Sequence, residues 1–139
     1  MRSARLGNTG VMRASETIKL AAHAVGAHRI TTSACVRHVR VERDGQTLAE
    51  TDRAIELHET GLPTRFYLPR EDVRMDLLAP STTTSHCPFK GAATYYDAPG
   101  VEDAFWVYEA PSEDDALPIA GMLAPWPGRV EVLVEEPPA

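Results

Sequence analysis

Apolar residues in this chain alternate over short runs that proline and glycine keep interrupting, which rules out a fold built on long helices. There are 11 prolines, and each removes a backbone donor and clashes inside a helix. In Val36-Arg37-His38-Val39-Arg40-Val41-Glu42-Arg43, Val39 and Val41 fall on one side and Arg40 and Glu42 on the other. That is the period of a strand with one buried face. Asp44-Gly45 follows, and both residues tolerate the positive φ of a tight hairpin, so residues 46–51 are predicted as the return strand. Further strands are predicted over 54–58, 65–68, 75–78, 92–96, 104–108, 119–123 and 129–134. Such short, evenly spaced runs predict a mainly β protein, a compact single antiparallel β domain. One short helix is expected over 16–25, capped by Ser15 and ended by Gly26. The acidic stretch 109–118 reads as a solvated loop.

A length of 139 residues fits one domain. The expected division is an N-terminal extension over 1–27, the β domain over 28–134, and a frayed tail over 135–139. With a net charge of -6, the chain lacks the basic excess that nucleic-acid binding draws on, so no nucleic-acid partner is expected. No stretch approaches the roughly 18 apolar residues of a membrane span, and the first residues lack the apolar core of a signal peptide. Cys35 and Cys87 make no disulfide framework. A cytoplasmic, reduced protein without membrane partners is expected. The five histidines show no metal-ligand spacing, and no glycine-rich phosphate loop is present. Neither a metal nor a cofactor is therefore expected.

The densest runs of unusual residues are Tyr67-Leu68-Pro69-Arg70-Glu71-Asp72-Val73 and Thr84-Ser85-His86-Cys87-Pro88-Phe89-Lys90-Gly91. Pro88 fixes its own φ and holds Cys87 extended, while Gly91 permits a sharp bend or a close backbone approach. Cys87 and Lys90 are thus expected on a rigid turn. With Tyr95, Trp106-Val107-Tyr108 and Ile119-Ala120-Gly121, these runs resemble domain-of-unknown-function family 427 (DUF427), sometimes labelled nucleotidyltransferase-like. The resemblance covers residues 28–134. It implies a compact β fold similar in outline to the β-tent folds, with a pocket on one face, and no established reaction. Phe89 departs from the family, which usually has tyrosine there.

The resemblance implies Arg53, Glu59, Tyr67, Asp72, Thr84, Cys87, Lys90, Tyr95, Trp106 and Tyr108 as pocket residues. Arg53 and Lys90 would receive an anionic group, the first as a planar fork and the second as a point charge. Trp106 and Tyr108, two apart on a strand, would share a face and form a wall. Binding of a small polar or anionic molecule is the expected function. The main alternative is a hydrolase or transferase with Cys87, Glu59 and Lys90 as catalytic residues. A thiol nucleophile needs an activating partner, and His86 would face away from its neighbour on an extended strand. A third possibility is an interaction domain recruiting a partner through a sheet edge or the acidic loop. Homodimerisation through an edge is also compatible with so small a β domain. Arg53 with Glu59, and Lys90 in a salt bridge, have structural readings too.

Overall fold

The computed structural model describes residues 28–136. The helix expected over 16–25 and the last three residues of the tail lie outside them. Ten strands follow one another, interrupted by three short 3-10 turns. The Asp44-Gly45 hairpin forms as the sequence demands, with φ of 52° and 80°. It joins β2 (His38–Arg43) to β3 (Gln46–Thr51), and β10 (Glu131–Glu135) pairs with the other side of β2. A second sheet has the order β1-β4-β5, with β1 at Ile30–Ala34, β4 at Ile55–Glu59 and β5 at Arg65–Tyr67. The third runs β6-β7-β8-β9, through Ala79–Cys87, Gly91–Ala98, Val101–Val107 and Leu123–Pro125. Every strand pair is antiparallel. A bridge between Leu68 and Leu123 ties the second sheet to the third.

Strand β8 explains why there are two cores. Successive side chains of a strand point to opposite faces. Phe105 and Val107 join a first core with Val39, Val41, Leu48 and Leu123. Trp106 and Tyr108 point the other way, into a second core with Leu57, Tyr67, Phe89 and Ile119. The four-stranded sheet is thus covered on one side by β10-β2-β3 and on the other by β1-β4-β5.

Several expected elements take other forms. Residues 75–78 make a 3-10 turn, Met75–Leu77, in place of a strand, since so short a run fixes no period. Residues 119–123 hold the end of the turn Asp114–Ile119 and only the first residue of β9. That turn also replaces the second half of the acidic loop: its carboxylates face out, but Ala116 and Ile119 are fully buried in the second core. Strands β1 and β6 carry too few apolar positions to announce themselves. Glu135, expected in the tail, closes β10. On β6, Pro80 pairs with Tyr96 and Thr84 with Thr94, so residues 81–83 leave the regular ladder.

Phe105 is completely buried at the centre of the first core. Phe105→Ala is expected to cost about 3–5 kcal/mol, read as a lower urea midpoint at unchanged slope. A loss below about 1 kcal/mol would show that this core does not depend on it.

Candidate functional site

Chemistry concentrates where the second core meets solvent. The residues Cys87-Pro88-Phe89-Lys90 form the turn from β6 to β7, closed by Lys90 N–H donating to the Cys87 carbonyl at 3.2 Å. Gly91 follows with φ of 97°. A Cβ there would stand 3.3 Å from both the Ala110 oxygen and the Ser112 nitrogen. Only glycine suits both the conformation and the space. The Ser112 N–H donates to the Lys90 carbonyl at 3.2 Å, strapping the turn from outside.

So held, the Lys90 side chain runs inward and is buried. Its Nζ donates to Oε1 of Glu59, which is also buried at the end of β4. Oε2 of Glu59 lies 3.0 Å from Nε2 of His28. A carboxylate can only accept, so Nε2 carries the hydrogen. The His28 ring stacks on Phe89 at 3.6 Å between centroids. Burial alone would pull the Lys90 ammonium down, but the charge of Glu59, aided by Cys87 and Tyr67, more than offsets it and holds the lysine charged.

Above this pair stand two buried tyrosines. Burial pushes Tyr67 up to about 12, and pushes Tyr108 well above its ordinary value. Both therefore keep their protons at neutral pH and have an O–H to donate. Tyr67 accepts a hydrogen bond from the Trp106 indole at 3.0 Å, which leaves its own O–H available. The Tyr108 ring lies 5.8 Å from Lys90 Nζ. Its hydroxyl has no hydrogen-bond partner among the described residues, although the residue is only 8% exposed. Cys87, Tyr95, Trp106 and Met122, all partly buried, form the open side. Tyr95 and Ser85 share a hydrogen bond at 2.8 Å.

Arg65 completes this side. It precedes Tyr67 by two residues on β5 and so shares its face. Its guanidinium lies 5.6 Å from the Trp106 ring centroid. Burial lowers its pKa, opposed by Tyr67, Tyr108 and Glu59. No carboxylate pairs with it among the described residues.

The structure thus gathers Glu59, Tyr67, Cys87, Lys90, Tyr95, Trp106 and Tyr108. Three expected pocket residues are elsewhere. Arg53 is exposed beyond β3 and pairs with Asp72 at 3.0 Å and Glu71 at 3.6 Å, not with Glu59. Asp72 is occupied there, accepting also from the Thr51 hydroxyl at 2.7 Å. Thr84 pairs with Thr94 while Ser85 pairs with Ala93, so alternation turns Thr84 away and gives Ser85 its place. Arg65 and His28 were missed. For Arg65 the signal existed, two residues before a candidate tyrosine in a predicted strand. His28 had none, because it comes from outside the motifs.

Residues 31–136 match the family described as domain of unknown function DUF427. The chain belongs to the DUF427 family. It matches no curated protein. The two ends of this DUF427 domain's buried pair, Glu59 and Lys90, both fall within the matched span. Of the described residues, only His28, Arg29 and Ile30 precede it. Cys35 and Cys87 are free and lie in different cores. No helix among the described residues is long and apolar enough to cross a membrane.

Lys90→Met would leave the Glu59 carboxylate buried with His28 alone. Removing one partner of a buried pair typically costs about 3–5 kcal/mol, and that loss is expected in the denaturant midpoint. The combined Glu59→Gln, Lys90→Met variant should recover most of it. A double variant as unstable as the single one would mean that packing, not charge, sets the loss.

Proposed function

We propose that this domain binds a small anionic molecule on the open side of its second core, with Arg65 as the principal receptor. The observation that carries this reading is a half-buried guanidinium without a counter-ion among the described residues. A partly desolvated cation gains most from an anion that pairs with it. Arginine also offers a planar fork suited to oxyanions. Tyr108, in the same core, keeps its proton, and its hydroxyl has no partner among the described residues, so it is available as a second donor. Lys90 then acts as a support, because Glu59 already neutralises it, and Arg53 has no part in the site.

A depression of about 340 Å³ lies beside this site, lined by His28, Arg29, Ile30, Thr31, Phe89, Glu113 and Asp115. Neither Arg65 nor Tyr108 is among its lining residues.

A second reading, a hydrolase or transferase with Cys87 as nucleophile, is favoured by one observation. The Cys87 thiol is partly exposed and within electrostatic range of Lys90 and Tyr108. On that reading, iodoacetamide modifies Cys87 faster than a free cysteine at neutral pH, and Lys90→Met slows it. Labelling at or below the free-cysteine rate removes the nucleophile.

For the binding reading, a panel of carboxylates, sulfonates and phosphates should contain members that raise the melting temperature of the wild type by mass action. Arg65→Gln should abolish those shifts while Arg53→Gln preserves them. Shifts that survive Arg65→Gln would place the anion elsewhere.

A further inference from the structure

The charges around the Arg65 site do more than attract an anion, because they also limit how much negative charge it can carry. Lys90 and Glu59 cancel each other. Tyr67 and Tyr108 stay protonated and neutral. Arg129, whose guanidinium lies 4.0 Å from the Trp126 ring centroid, has Asp103 at 3.9 Å. Arg65 is left as the formal charge without a counter-ion among the described residues at this site. A dianion would leave one negative charge without a partner at a partly desolvated site whose floor is already neutral.

The donors match the same limit. A guanidinium fork and one tyrosine hydroxyl suffice for the two oxygens of a carboxylate. Next to them the surface becomes apolar. Trp106 and Trp126 meet edge-to-face at 5.9 Å between centroids, and Tyr95 lies 6.0 Å from Trp126. All three rings are partly exposed, and Met122 and Trp106 pack against the same core. Such a surface takes up a ligand's hydrocarbon part.

Resting on the anion-binding reading above, we propose that the ligand is a monoanionic carboxylic acid with an apolar body. Its carboxylate is held by Arg65 and Tyr108, and its body lies against Trp106 and Met122. Doubly charged phosphate esters are rejected.

The test uses three probes that share a phenyl ring: benzoate, benzenesulfonate and phenyl phosphate. Binding is measured calorimetrically on the full chain at pH 8, where only the phosphate ester is a dianion, since its second pKa is about 6. Benzoate and benzenesulfonate are expected to bind, and phenyl phosphate to bind at least about tenfold more weakly, a difference of about 1.4 kcal/mol. Tyr108→Phe keeps the ring and should weaken benzoate by about tenfold or more, the value of a hydrogen bond to a charged group. Phenyl phosphate binding as tightly as benzoate, still lost in Arg65→Gln, would overturn the monoanion assignment and leave the anion site standing. Absence of binding by all three probes, or binding indifferent to Arg65→Gln, would overturn both.

Discussion

The ion pair between Glu59 and Lys90 is the interaction on which the rest of the site depends. Each residue comes from a different sheet, Glu59 from the end of β4 and Lys90 from the turn between β6 and β7. Neither charge could be buried alone, since an isolated ion in a low-dielectric interior is prohibitively costly. Together, with His28 satisfying the second carboxylate oxygen, they close the floor of the second core. They also fix how the two sheets meet. The neutrality of that floor gives the solitary guanidinium above it its significance.

Period-two alternation does the remaining work. One strand, β8, sends Phe105 and Val107 into one core and Trp106 and Tyr108 into the other. The first core is almost purely aliphatic and aromatic, and it supplies stability. The second mixes tyrosines, a thiol and an ion pair into its apolar lining, which costs stability unless every polar group is served. The hydroxyl of Tyr108 is the exception, an observation that points toward solvent or a ligand as its partner.

Much of the fold was legible because alternation and turn chemistry are local. The Asp44-Gly45 hairpin, the strands on either side of it and the rigid Cys87–Gly91 turn all followed from a few adjacent residues. Strand β6 was hidden because nearly all of it is exposed, so no apolar rhythm marks it. Ala116 was hidden in an acidic run whose charge drowned its pattern, and Ile119, expected to open a strand, ends a 3-10 turn instead. In the site, the DUF427 motifs led to most of the residues that assemble around Glu59 and Lys90. Arg53, Asp72 and Thr84 were misplaced for a different reason. A motif does not say which face a side chain takes, as for Thr84, or which partner claims it first, as for Asp72.

The irregular stretch of β6 has a bearing on how copies of this protein meet one another. β6 is the outer strand of its sheet, and an open edge invites intermolecular pairing. Residues 81–83 bow out of register, and the Thr83 N–H turns back to the Ser81 hydroxyl at 3.0 Å. Pro80 brings no N–H of its own. A neighbouring strand therefore finds a regular template only over the short Thr84–Cys87 portion. By interrupting its longest strand, the domain shortens the regular edge along which copies of it could pair into a continuous sheet.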